Sequence, residues 1–313
     1  MTTARTIYMT SAIALASVLA VTIFSTGCGK DDTQSNNSTR SSSATINTQK
    51  NNSNDEESEK ASAKLGPDDM SVELPGELQL VLVKVKAGAF EMSAFDRENE
   101  DNEVPHQAAL TRDFYIGQTE VTQLQWRSIM GNKNNPSRFK GDDVPVQHVS
   151  WNDAMEFCEK LNGMEKALKG WKFTLPTETQ WEYAARGGDK SKGYKYSGSN
   201  NIDEVAWYEE NSESKDSGRK YQYHSVGQKK PNELGLYDMS GNVIEWCLDG
   251  YIGDSSELTA EFTREKDDDP NFRASRGGSY SSGAQKCRTK TRAYRYPDRT
   301  TCGFRVVLVP ESY

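Results

Sequence analysis

Hydrophobic positions along the chain separate a folded region from a polar leader. A first apolar run, Ala12 to Phe24, is followed by about fifty residues almost free of aromatic and large aliphatic side chains. Apolar and aromatic residues return at Leu78 and persist to Pro310. Within this region LVLVKV, Leu80 to Val85, is rich in β-branched residues and followed by Gly88, which predicts a strand. Three helices carry their own start signals. Thr122 precedes Gln125 at capping-box spacing, with Leu124, Trp126, Ile129 and Met130 as the apolar positions and Gly131 as the stop. Ser150 precedes Asp153, and Ala154, Phe157, Cys158 and Leu161 share one helical face. Thr177 and Gln180 follow Pro176, with Trp181, Ala184 and Ala185 turned inward and Gly187 ending the helix. Beyond Gly188 helical periodicity stops, and Gly, Ser, Asn, Tyr and Trp dominate. The pattern is that of an α+β domain with low regular secondary structure, whose long irregular segments mark functional loops.

The leader reads as an export and anchoring device. Residues 1–27 have the one cation Arg5, a short apolar run and the small residues Ser25-Thr26-Gly27 before Cys28, a secretory signal pattern too short to span a bilayer comfortably. Small residues before a single cysteine resemble the lipobox of bacterial lipoproteins, with Ser25 departing from the usual Leu. The expectation is lipidation at Cys28 and a bacterial cell-envelope location on the exported side of a membrane. Residues 28–77 read as a disordered Ser/Asn-rich tether, unable to bury enough apolar surface to offset chain entropy. Residues 78–310 form one domain.

Charge narrows the partners. The chain of 313 residues has a net charge of −8, which argues against nucleic-acid binding because phosphate contacts need a cationic surface. Yet between 276 and 305 eight Lys and Arg residues face the single acid Asp298, with Tyr280, Tyr294 and Tyr296 interleaved. This stretch reads either as a groove for an anionic or extended peptide or as a set of arginines paired with acids elsewhere. His106, His148 and His224 have no metal-ligand spacing, and RGGSYSSG is not followed by a helical pattern, so it makes a weak phosphate cradle.

The motifs LVKVKAGAFEM, FYIGQTEVTQLQW, PVQHVSWNDAMEFC, FTLPTETQWEYAARGG, GLYDMSGNVIEWC, RGGSY and CGFRVV occur in one order and spacing. Together they resemble the formylglycine-generating enzyme, or sulfatase-modifying-factor, family. The resemblance implies a variant of the C-type lectin fold. It also implies oxidation of a protein cysteine to formylglycine by O2 at a copper(I) ion held between two thiolates. The second copper position matches Cys287, but the first matches Ser282. A hydroxyl is a hard, weakly acidic donor and does not replace a thiolate on copper(I). Ile244 stands where the family's active-site Trp is expected, and Thr301 where many members place Asn. These departures make copper unlikely as a cofactor and imply a noncatalytic protein- or ligand-binding member, with Cys287 and Ser279 as the catalytic pair only if the chain is an oxidase.

The resemblance carries further expectations. Asp238, Gly241, Val243 and Glu245 match a structural calcium site, with side-chain oxygens from the acids and carbonyls between, a donor set suited to a hard cation. The ligand groove is expected at Trp246, Tyr280, Ser282, Arg288, Arg292, Tyr294 and Arg295. Export favours disulfides among Cys158, Cys247, Cys287 and Cys302, which allow three complete pairings, and the family pattern favours Cys247 with Cys287. The expected partner is an exported protein or peptide, anionic in part.

Overall fold

The computed structural model describes residues 66–92, 105–164, 168–214, 220–251, 272–298 and 302–311. The signal segment, Cys28, Thr301 and the tether up to residue 65 lie outside them. Among the described residues ten short strands and three longer helices frame the fold, with irregular chain between them. The main sheet is antiparallel throughout. It runs β1 (Met70–Leu74), β2 (Leu78–Val85), β5 (Phe114–Gly117), β10 (Val307–Pro310) and β6 (Trp171–Thr174). The tether expected through residue 77 is therefore corrected at its end, because Met70 to Leu74 pairs with Leu82 to Leu78 and Leu74 is buried. Alternation of polar and apolar residues in MSVEL is strand patterning that a polar neighbourhood obscures. The hairpin of β3 (Gly88–Met92) and β4 (His106–Leu110) stands apart, as does a three-stranded sheet of β7 (Glu245–Gly250), β8 (Arg273–Arg276) and β9 (Arg292–Arg295).

The helices form where local chemistry sets them. In α1 (Gln123–Met130), α2 (Trp151–Asn162) and α3 (Glu178–Ala185) the predicted capping boxes of Thr122/Gln125, Ser150/Asp153 and Thr177/Gln180 are complete in both directions. α1 and α2 pack their apolar faces into a core in which Trp126 stacks on Phe157 at 5.7 Å and Phe304 meets both rings edge-on. α3 is different, since all eight of its residues are buried, including Glu178 and Glu182.

Buried acids need partners, and the three-stranded sheet supplies them. Arg276 on β8 and Arg292 on β9 lie directly opposite one another, a like-charge cross-strand pair that is unfavourable by itself. Glu178 relieves it. Its Oε1 accepts from Nε of both arginines at 2.7 Å, and its Oε2 accepts from Arg292 at 2.8 Å. Glu182 accepts from Arg276 at 2.8 Å and from Arg186 at 2.8 Å. Burial opposes ionisation of Glu178, but Arg292 and Arg276 outweigh it and hold the carboxyl at about 2. Asp249 on β7 accepts the Glu178 backbone N–H, and burial next to Glu178 raises its carboxyl to about 7.

The two acids bend the stability profile in opposite directions. Glu178 is depressed from 4.5, so its stabilisation is complete above that pH and is lost as pH falls towards 2. Asp249 is raised from 3.8, so its contribution is complete at low pH and is lost as pH climbs to about 7. Substituting Glu178→Gln removes the carboxylate that Arg276 and Arg292 share. Urea unfolding at pH 7 is expected to show a loss on the order of 3–5 kcal/mol and a flattened acid limb below pH 4.5. A loss under about 1 kcal/mol would contradict this role.

Candidate functional site

The loop that follows β8 makes the site. Gly277 and Gly278 both adopt positive φ, at 94° and 71°. At Gly278 a Cβ would lie 2.8 Å from Cys287 Sγ and 2.7 Å from the Lys286 carbonyl, so only glycine lets the two passes of chain touch. A 3-10 turn, Ala284–Cys287, then carries the thiol back behind this glycine. Ser279 and Ser282 are joined twice: the Ser279 N–H donates to Ser282 Oγ at 3.1 Å, and the two hydroxyls lie 3.0 Å apart.

In front of this loop opens a cleft of about 260 Å³ between Ile244, Gly277, Gly278, Ser282, Lys286 and Arg295. Arg276 and Arg292 reach its wall, but both are buried and committed to Glu178. The cationic groups that give the cleft its character are Lys286 and Arg295, with no acid among the lining residues. Ile244, where the resemblance leads one to expect an aromatic ring, contributes an aliphatic side chain to the lining.

Of the predicted groove residues the structure brings Ser282, Arg292 and Arg295 to one cleft and separates the others from it. Trp246 is wholly buried, with its indole N–H donating to the Val149 carbonyl at 2.9 Å, and it belongs to the core. Tyr294 packs between Tyr251 and Phe272. Tyr280 meets Tyr223 edge-on at 5.6 Å. Arg288 lines a different cleft, with Arg186 and Lys195. The basic segment is thus mixed: Arg276, Arg292 and Arg305 satisfy buried acids, while Lys286, Arg288 and Arg295 reach surface clefts.

The two cysteines expected to bond lie apart. Cys247 and Cys287 are thiols, and the predicted bond between them is corrected. Cys247 packs with Trp181, Met239 and Ala274, whereas Cys287 belongs to a separate cluster with Tyr196, Val205 and Tyr208. Burial pushes the Cys287 thiol up to about 12, only partly offset by the Ser279 N–H. At neutral pH it is a protonated, weakly nucleophilic group.

A second ionic centre sits under the EWC strand. Arg305 forms a two-pronged pair with Glu245 at 2.7 Å per contact, and Trp181 donates to the same carboxylate at 2.8 Å. Glu120 accepts from the Val243 N–H at 2.9 Å and from Asn242 at 2.7 Å. Asp238 has a positive φ of 58° and accepts from the Gly227 N–H at 2.7 Å, while its other carboxylate oxygen is buried with no hydrogen-bond partner. Burial raises Glu120 well above the ordinary range and brings Asp238 to about 6. Among the described residues no three His, Cys, Asp or Glu side chains converge as a metal site, and the expected calcium set includes only two acidic side chains, Asp238 and Glu245.

With that geometry in hand, the sulfatase-modifying factor enzyme 1-like domain model matches residues 75–309. The chain belongs to this family. A relative, the chaperone protein LppX of Paenibacillus barcinonensis, is 39% identical over 240 residues, covering 64% of this chain and 79% of that protein. The formylglycine-generating enzyme of Thermomonospora curvata is 30% identical over 193 residues, 53% of this chain and 56% of that protein. The solved Treponema denticola variable protein 1 superposes with a TM-score of 0.64 at 28% identity, over 78% of this chain and all of that one. These matches fix the sulfatase-modifying-factor fold, with its mixed helices and curled sheets. What the family members do chemically varies, so the site residues carry the functional argument. Sequence reasoning missed Glu178 and Glu182, whose arginine partners on β8 and β9 lie 94 to 114 residues away.

Proposed function

We propose that this is a noncatalytic, peptide-binding member of the family, acting on exported proteins at the bacterial cell envelope. One observation carries the reading. Where the resemblance places two copper thiolates, Ser282 offers a hydroxyl already engaged with Ser279, and Cys287 is a buried thiol held protonated. A single soft donor cannot hold copper(I) in the near-linear two-thiolate arrangement. The cleft beside them keeps a different capability: an aliphatic floor at Ile244 with Lys286 and Arg295 at its edge suits an extended segment bearing an acidic group. Similarity to a protein named as a chaperone, LppX, supports a binding role. The leader supports export and anchoring through Cys28. The alternative reading, a formylglycine-type oxidase, rests on the retained Ser279 and Cys287.

A structural calcium ion belongs to this proposal. Asp238, with its orphaned buried oxygen, and the carbonyls of Gly241 and Val243 would hold it, while Glu245 would join only through lone pairs not used by Arg305 and Trp181. The ion would offset three buried acids, Glu120, Asp238 and Glu245, that face the one guanidinium of Arg305.

Both parts have direct tests. Acidic, basic and cysteine-containing peptides are incubated with the protein, copper(I) and O2, with anisotropy reporting binding and mass spectrometry reporting aldehyde. The acidic peptide is expected to bind and to lose at least about tenfold in affinity in Lys286→Glu/Arg295→Glu, with no peptide converted. Aldehyde formation, or indifference to the charge reversal, would overturn the reading. Chelation with EGTA is expected to lower the melting temperature by several degrees, restored by calcium and absent in Asp238→Asn. An unchanged transition would remove calcium from the account.

A further inference from the structure

The first cleft carries a carboxylate at the rim opposite its cations. Beyond Ser282 the glycine loop packs against residues 207–209. The Asn242 N–H donates to the Trp207 carbonyl at 2.8 Å, the Tyr280 N–H to the Asn242 carbonyl at 2.8 Å, and the Glu209 N–H to the Ser282 carbonyl at 3.2 Å. Glu209 is therefore fastened to the loop by its backbone. Its carboxylate lies against Gly283, with Oε1 3.3 Å from where a Cβ would stand. Ser282 and Gln285, on either side of that glycine, line the cleft, so a half-buried acid stands at its edge.

The neighbouring acids are engaged, and Glu209 is not. Glu204 pairs with Lys230 at 3.3 Å, and Asp203 and Glu210 both lie within hydrogen-bond reach of the Tyr208 hydroxyl, at 3.2 and 3.1 Å. Among the described residues no hydrogen bond or ion pair occupies the Glu209 carboxylate. Lys220 feels its charge but sits over the Tyr221 ring at 4.8 Å.

Sheet register sets the length of the cleft. Arg276, from which the Gly277–Gly278 turn leaves β8, pairs with Arg292, and Arg273 pairs with Arg295. Arg295 thus stands three residues along β9 from the glycine loop, about 10 Å at the usual strand rise. The cleft is bipolar, with a carboxylate at its Ser282–Gly283 end and a guanidinium at its β9 end. Opposite charges at the two ends of one groove favour one order of charges in a ligand and penalise like-charge contacts.

We propose that Glu209 is a specificity-determining residue of the peptide cleft, receiving a Lys or Arg side chain of an extended segment whose acidic group meets Arg295. This rests on the reading of that cleft as a peptide site. An extended segment covers the distance with its basic and acidic residues about three to four positions apart.

Fluorescence anisotropy compares a peptide carrying a Lys and an Asp at that spacing with the same peptide bearing Gln in place of the Lys. The Lys/Asp peptide is expected to bind at least about threefold more tightly, the scale of one exposed ion pair. In Glu209→Gln that preference is expected to vanish while the Asp-only peptide is not weakened. In Arg295→Gln both peptides are expected to weaken and the preference to persist. Unfolding curves check that each variant keeps the fold. If the Asp-only peptide binds through Arg295 but the Lys brings no preference, or a preference that Glu209→Gln leaves unchanged, the role of Glu209 falls and the peptide cleft stands. If neither peptide binds, both fall.

Discussion

The fold turns on Glu178. Short strands and irregular loops supply few ladder hydrogen bonds, so the three-stranded sheet must be fastened to the rest of the domain by side chains. Arg276 and Arg292 face each other across β8 and β9 and would repel, yet both donate to one carboxylate at the start of α3. Asp249 in turn accepts the N–H of that same residue. Ionic pairs this deeply buried gain little over a well-packed apolar core, but they are directional, and losing one partner strands the other. Here direction matters more than magnitude: the clamp fixes where the glycine loop leaves β8 and where the thiol of Cys287 returns.

The two surface clefts follow from that geometry. Arg276 leads into the Gly277–Gly278 turn and holds the Thr289 carbonyl, so one buried guanidinium borders the first cleft and braces the wall of the second. Arginines close together in the sequence are sorted by strand alternation and loop direction into buried pairs and surface donors. Within the basic stretch, Arg292 pairs with buried Glu178 while Lys286 and Arg295 line the surface cleft.

What could be read from the sequence was local. The capping boxes at Thr122, Ser150 and Thr177 involve residues three apart, and each is present in the fold. The strand at Leu80–Val85 likewise announced itself through β-branched residues. The partners of Arg276 lie 98 and 94 residues away, and no short-range pattern marks them. For the same reason Trp246, an aromatic beside a presumed groove, turned out to be core, and Cys247 and Cys287 were matched although they sit in separate apolar clusters. Strand β1 is hard to read because its alternation spans only five residues and its neighbours are polar.

The functional account reduces to the number of soft donors beside Gly278. Anaerobic titration with copper(I) against a competing chelator counts them directly, in the wild-type protein and in Ser282→Cys. The account predicts that the wild type yields its copper to the chelator and that a second thiol at position 282 raises retention by at least about tenfold. Tight one-to-one binding by the wild-type chain, abolished in Cys287→Ser, would contradict it.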